Sequence, residues 1–318
     1  MSDTGFAQTA EQPTTSAVVF AYHTVGVRSI KTLLARGIDI RLVVSHEDSA
    51  NETIWFESVA ALCEEQRIPR ITPDNPNTPE IIAKIAALKP DFIFSFYYRN
   101  MLSAEMLEIA SRGAYNLHGS LLPKYRGRVP VNWAVFYGET ETGATLHEMT
   151  VKPDAGAIIA QTSVPILPDD TAFEVFGKLS VAAEQTLWHA LPSLIAGTAI
   201  KIPNDLSQGS YFGGRRPEDG RIDWSQSTQQ VYNLHRAVAP PYPGAFTEQD
   251  GEKFIIEKAR IFKHATLKLP ANLPLGISVV DNVIFGVCGD GKAIEILALQ
   301  HQGRTMDNQA LVKFFGRT

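Results

Sequence analysis

The chain has 318 residues, 44% hydrophobic and 20% charged, with a formal net charge of −5. That composition is the one of a globular protein with room for a large domain and a smaller one, and it argues against a surface built to hold a nucleic-acid backbone. No run reaches the roughly 18 apolar residues of a membrane helix, and the polar leader, residues 1–16, lacks the basic start and apolar middle of a signal peptide, so a cytoplasmic protein without membrane insertion is expected.

After the leader, Ala17–Tyr22 is a short apolar run of buried-strand type, and Tyr22-His23-Thr24-Val25-Gly26 turns into a helix over Val27–Arg36 that Gly37 stops. The spacing predicts strands at Ile38–Val44, Ile68–Thr72 and Asp91–Phe96, with helices at Ile54–Gln66 and Pro79–Leu88 between them. Ser103 caps a helix running to Ala110, and Gly113–Leu117 is the next strand. Strands and helices that alternate with short connections imply a doubly wound, mostly parallel α/β sheet, in which ligands bind beyond the carboxyl ends of the strands. Three polar groups fall at such ends: Tyr22-His23, Tyr97–Leu102 and Asn116–Ser120.

A helix is expected over 129–138, and strands over Gly143–Thr150 and Ala157–Ile166 flank a Lys152-Pro153-Asp154-Ala155-Gly156 turn. Thr171–Ala196 reads as one long helix, with Asp169 and Asp170 favourable at its amino end. Beyond Gly197 the texture changes. A Gly-Arg-Pro loop at 213–220 precedes a helix at Gln229–Val238. From Ala245, hairpin signals dominate at Asp250-Gly251, Asp281-Asn282 and Asp290-Gly291. The expected organisation is a leader (1–16), a catalytic domain (17–204) and a smaller β-barrel-like, OB-like domain (205–318).

Several chemistries fail on these residues. Only the last glycine of a dinucleotide-binding loop is present in the first strand-to-helix turn, and Tyr22 and His23 would crowd a pyrophosphate there. Ser120 sits in His-Gly-Ser-Leu-Leu, not in a Gly-x-Ser-x-Gly elbow. Cys63 and Cys288 lie far apart in apolar segments without ligand spacing, so buried free thiols are expected and neither a disulfide nor a zinc site. His118 and Asp154 lack a third metal ligand, because His147 falls inside a strand; no metal is expected.

Asn116 and His118 are two residues apart in one strand and therefore share a face. An amide, an imidazole and the carboxylate of Asp154 could together run an acyl transfer. Taken singly, His118 fits a structural histidine as well as a catalytic one, and Asp154 fits a turn residue. Lys124, Arg126 and Arg128 fit either a solvated loop or a grip on an anionic substrate.

The combination Asn116-Leu117-His118, Ser120-Leu121-Leu122-Pro123, Arg126-Gly127 and Asp154 resembles the folate-dependent formyltransferase family. Within it, the stretches Val18–His23, Phe94–Arg99, Asn116–Arg128, Gly138–Gly143, Asp154–Ile158, Phe212–Arg216 and Pro243–Phe246 resemble one branch. That branch is the formyltransferase half of the bifunctional UDP-4-amino-4-deoxy-L-arabinose formyltransferase/UDP-glucuronic acid decarboxylase of lipid A modification and polymyxin resistance. The decarboxylase half has no counterpart among these 318 residues. Asn100, Met101 and the glycines after Phe212 depart from the branch, which leaves the amino sugar open.

The resemblance implies transfer of the formyl group of 10-formyltetrahydrofolate, without a metal, to the primary amine of a nucleotide sugar. It implies that His118 is the general acid, that Asn116 and His118 stabilise the tetrahedral oxyanion, and that Asp154 orients and charges His118 and helps remove the amine proton. Position by position, Asn100, Met101, Leu102, Arg128, Thr150, Val151, Lys152, Pro153 and Asp154 would line the folate site. Tyr22, His23, Ser120, Lys124 and Arg126 are candidates for contact with the sugar nucleotide. The alternatives are a methionyl-tRNA formyltransferase and a catalytically silent folate-binding module. The tRNA enzyme would call for a strongly basic second domain, yet residues 201–318 hold 14 Lys and Arg against 12 Asp and Glu. Oligomeric state, homo-oligomers included, and a separate decarboxylase partner are left open.

Overall fold

The first strand is fully buried along its length because every residue from Ser16 to Ala21 is small or apolar, as the middle strand of a parallel sheet covered on both faces requires. The computed structural model describes residues 14–49, 52–263, 269–270, 272–306 and 308–315, and residues 1–13 of the polar leader lie outside them. In chain order the first elements are β1 (Ser16–Ala21), α1 (His23–Ala35), β2 (Asp39–Val44), α2 (Val59–Glu65) and β3 (Arg70–Ile71). Then come α3 (Pro79–Ala87), β4 (Phe92–Phe96), α4 (Ala104–Leu107), β5 (Ala114–His118), β6 (Arg126–Gly127), α5 (Pro130–Phe136), β7 (Glu141–Glu148), β8 (Ile158–Pro165) and α6 (Ala172–Ala196).

Seven strands form one sheet in the order β3-β2-β1-β4-β5-β7-β8. From β3 to β5 the neighbours are parallel; β7 runs antiparallel to β5. Strand order reverses between β1 and β4, so the carboxyl ends of β1, β4 and β5 face the position where such sheets bind ligands. Helix starts follow local chemistry: Ser58, Thr78 and Ser103 each accept a hydrogen bond from a backbone N–H three residues on. Ser58 shortens the helix expected over 54–66, since its cap fixes the first turn at Val59.

The remaining elements are β9 (Tyr211–Phe212), α7 (Thr228–Val238), β10 (Ala245–Gln249), β11 (Glu252–Ile261), β12 (Gly276–Val280), β13 (Val283–Val287), β14 (Ala293–His301), β15 (Arg304–Met306) and α8 (Asn308–Phe315). Strands β10–β15 make a six-stranded antiparallel sheet, the smaller barrel-like part. Asp281 and Asn282 both take left-handed φ (50° and 61°), and so do Asp250 and Gly251 (53° and 80°), as two-residue hairpins with right-handed twist demand. The short parallel pair β6–β9, strand β15 and helix α8 have no clear sequence signal, because two or three residues carry no measurable periodicity and α8 follows a β-rich stretch.

The chain divides into two compact units. One comprises the described residues up to His118 with Thr145–Ala160 and Ala183–Asn204; the other comprises Gly119–Ala144, Gln161–Ala182 and the described residues from Asp205 on. The core of the first gathers Val18, Phe20, Val44, Ile85, Ile93 and Met106. Both cysteines are buried free thiols. No helix among the described residues is long and apolar enough to cross a membrane.

Burial also sets an acid limit. In the second unit, burial pushes His235 down to about 4; in the first, burial and then the charge of Arg99 push His23 down to about 3. Both are neutral when folded, whereas the unfolded chain takes up protons below about 6.5. Stability is therefore fully present above that pH and is lost as pH falls from 6.5 towards 4, by up to about 2 kcal/mol per group at pH 5. The urea midpoint should be lower at pH 5 than at pH 7, and His235→Gln should flatten that slope. An unchanged slope would contradict the assignment.

Candidate active site

Strand β5 carries Asn116 and His118 on one face by simple alternation. Its antiparallel neighbour β7 sets His147 directly opposite Asn116, and Thr145 opposite His118. Cross-strand partners of this kind share a face and bring their side chains together. The Asn116 amide nitrogen Nδ2 is 3.0 Å from His147 Nε2, and His147 Nδ1 is 2.8 Å from the carbonyl of Glu148. A carbonyl can only accept, so Nδ1 bears a hydrogen; in the neutral ring Nε2 then accepts from the amide, whose second N–H is left to be aimed elsewhere.

Asp154 completes the group. Its Oδ1 lies 3.5 Å from His118 Nδ1 and 3.6 Å from His147 Nε2. The His118 ring is 7% exposed and the Asp154 side chain 12%, so their charges are little screened. The turn that presents Asp154 is built tightly. Met149 N–H donates to the carbonyl of Ala114, Glu148 N–H to that of Ala157, and Asn204 Nδ2 to that of Asp154. Asp154 has φ of 49°, a left-handed conformation that Asp tolerates better than most residues. Gly156 has no room for a side chain: a Cβ there would lie 2.1 Å from the carbonyl oxygen of Glu148. The turn is pinned against the end of β7, and the carboxylate with it.

His147 is the residue that sequence reasoning set aside. Its position inside a strand counted against it, yet that position, in antiparallel register with β5, is what delivers it to Asn116. Strand register across 31 residues is not written in local sequence. Among the described residues no group of three or more His, Cys, Asp or Glu side chains is arranged to hold a metal ion.

The other residues singled out from sequence fall into three places. Tyr22 and His23 meet the loop after β2. The Tyr22 hydroxyl donates to Asp48 Oδ1 at 2.6 Å, and burial and then Asp48 raise its phenol. His23 stacks on Phe56 with ring centres 3.9 Å apart. Arg99 ties this corner together: its guanidinium bonds Glu52 at 2.6 and 2.9 Å, and its N–H donates to His46 Nε2. The loop after β4 is clipped by Asn77, which donates to the carbonyl of Met101 and accepts from the N–H of Ser103. Leu102 is buried, whereas Met101 and, on the Asp154 turn, Val151 are exposed apolar side chains. Thr150 closes its turn by donating to the carbonyl of Lys152.

Ser120, Lys124, Arg126 and Arg128 belong to the second unit. Ser120 is buried, and its hydroxyl donates to the Lys124 carbonyl at 2.6 Å, a loop-forming role. Lys124 faces Glu139 at 3.8 Å. Arg126 and Gly127 form β6 and pair with Tyr211 and Phe212, which sets the basic loop beside the 211–216 segment.

The formyl transferase family pattern matches residues 17–191, and the pattern of the formyl transferase C-terminal domain matches residues 215–315. Among solved structures, the chain is similar to an N-formyltransferase from Helicobacter canadensis in complex with folinic acid and dTDP-3-aminofucose. The TM-score is 0.69 at 18% identity, over 90% of this chain and 98% of that one. It is similar to WlaRD, a sugar 3N-formyl transferase studied in the presence of dTDP and 5-N-formyl-THF (TM-score 0.69, 18% identity, 92% and 100% covered). It is also similar to HypX from Aquifex aeolicus in complex with tetrahydrofolic acid (TM-score 0.62, 18% identity, 95% and 47% covered). At such identity these likenesses are of fold. The family pattern spans more than half of the chain, from the first strand into α6, and includes all three polar groups of the site: the chain belongs to the formyl transferase family and is a formyltransferase.

Proposed function

We propose that the chain transfers the formyl group of 10-formyltetrahydrofolate to the primary amine of a nucleotide-linked amino sugar, with UDP-4-amino-4-deoxy-L-arabinose as the first substrate to test. The observation that carries the chemistry is the convergence of Asn116, His118 and Asp154, with His147 holding the amide. The neutral amine attacks the formyl carbon, and the carbonyl oxygen becomes an oxyanion. A directed amide N–H from Asn116 and an N–H from the imidazole stabilise that charge. The bond from the formyl carbon to the folate nitrogen then breaks, and that nitrogen needs a proton. His118 is placed to supply it from Nε2, because Nδ1 is the nitrogen that faces Asp154. The Asp154 carboxylate orients the ring through Nδ1 and accepts the proton that the amine gives up.

The donor site is assigned to Asn100–Leu102, Arg128 and Thr150–Asp154. Support comes from the exposed apolar faces of Met101 and Val151, which a folate ring system would cover. Support for the acceptor comes from the neighbouring folds described with dTDP-3-aminofucose and with dTDP. Release of tetrahydrofolate should be followed with UDP- and dTDP-linked amino sugars and with methionyl-tRNA. Turnover is expected with an amino sugar. Turnover with none of the sugars but salt-sensitive formylation of methionyl-tRNA would overturn the proposal in favour of the tRNA enzyme.

His147 acts through Asn116 and is a positioning residue. His147→Leu removes the acceptor of the amide and should lower kcat about tenfold with KM little changed, the order of one lost buried hydrogen bond. His147→Gln keeps an acceptor and should recover much of the loss; equal damage in both variants would assign His147 a packing role only.

A further inference from the structure

Helix α6 ends at Ala196, and the chain beyond it runs in the open: Ile200, Lys201, Ile202, Pro203 and Asp205 are exposed, whereas Asn204 among them is half-buried. The run is tied to the end of β7 and the start of β8. Ile202 and Ile158 exchange two backbone hydrogen bonds of 2.8 Å, and Lys201 pairs with the carboxylate of Glu148. Asn204 then reaches the turn between the two strands, 3.0 Å from the carbonyl oxygen of Asp154. A carbonyl can only accept, so the contacting atom of Asn204 is Nδ2, a donor. All of these residues up to Asn204 lie in the first unit.

Two observations set this bond apart from an ordinary turn contact. The first is the backbone it holds. Asp154 has φ of 49°, and a non-glycine residue stays in that region because its surroundings keep it there. A donor on the Asp154 carbonyl fixes the rotation of the following peptide plane about the Asp154 Cα and so resists a return to the right-handed region. The carboxylate stands between two rings at nearly equal separations, 3.5 Å from His118 Nδ1 and 3.6 Å from His147 Nε2. A small rotation of residue 154 would take it away from His118.

The second is the other end of the amide. Asn204 Oδ1 is buried and has no hydrogen-bond partner among the described residues. A buried carbonyl oxygen without a donor lowers stability, and an apolar side chain of the same shape would avoid that loss. An amide that breaks the rule of buried polar pairing at one atom while its other atom grips the residue bearing the site's carboxylate is the pattern of a functional position.

We propose that Asn204 is a positioning residue of the formyl transfer: through the carbonyl of Asp154 it holds that residue left-handed and keeps the carboxylate on His118. The proposal rests on Asp154 taking part in the reaction. Asn204→Leu keeps the shape and removes the donor together with the unpaired oxygen. It should lower kcat about tenfold, the order of one lost buried hydrogen bond, with a urea midpoint no lower than that of the wild-type chain. Asn204→Gln keeps an amide donor and should recover most of the loss. In single-turnover rates, Asn204→Leu added to Asp154→Ala should cost little more than Asp154→Ala alone, because no carboxylate is left to place. Lys201→Met removes only the exposed ion pair on the same run and should leave kcat unchanged. If Asn204→Leu does not fold, Asn204→Asp, of the same shape and without the donor, is read in its place. Wild-type kcat in the donor-less variant, a loss that Asn204→Gln does not recover, an equal loss in Lys201→Met, or full additivity with Asp154→Ala would overturn the role. Wild-type turnover in Asp154→Ala would instead remove the carboxylate from the reaction. Normal kcat in Asn204→Leu beside a slow Asp154→Ala would leave the chemistry standing and sink the assignment of Asn204 alone.

Discussion

Replacing His118 with asparagine should lower kcat by a factor of about 10²–10⁴, the usual contribution of a positioned general acid, while binding of the folate donor persists. The substitution is close in shape and keeps a polar side chain on the buried face of β5, so loss of fold is a poor explanation for such a loss. The departing folate nitrogen would be left to take its proton from water. Donor binding, followed by fluorescence titration, separates the two effects: turnover lost with the donor still bound is the expected result. Wild-type turnover in the variant would remove His118 from the reaction.

Asn116→Ala should cost about 10²–10³ in kcat, the range seen when a single oxyanion donor is removed. Asn116 is half-buried and its amide is locked by His147, so the N–H is oriented before substrate arrives rather than on binding. Pre-orientation is what makes such a donor effective in a poorly screened site. Because His147 works through this amide, the two substitutions should be non-additive: His147→Leu added to Asn116→Ala should cost little more than Asn116→Ala alone. Full additivity in single-turnover rates would show that His147 acts independently of Asn116.

The alternation of strands and helices, the strand-end placement of Asn116 and His118 and the hairpins at Asp250, Asp281 and Asp290 are local properties, and each was legible from spacing and turn chemistry. The neighbourhood of Asn116, His118 and Asp154 was suggested by the family resemblance; composition and periodicity left each of them open. What escaped was non-local. His147 depends on the antiparallel register of β7 against β5, and the β6–β9 pair depends on residues more than eighty positions apart meeting over two residues each. The left-handed conformation of Asp154 was hidden for a different reason: an Asp before Ala-Gly is common in turns of several kinds, and only the close approach of Gly156 to Glu148 selects this one.

The most direct test is to supply 10-formyltetrahydrofolate labelled with carbon-13 in the formyl group and to follow the label by NMR in the presence of UDP-4-amino-4-deoxy-L-arabinose. The label should move to an amide carbon on the sugar nitrogen with the wild-type chain and stay on the folate with His118→Asn. Label remaining on the folate with the wild-type chain, across UDP- and dTDP-linked amino sugars, would contradict formyl transfer to a nucleotide sugar.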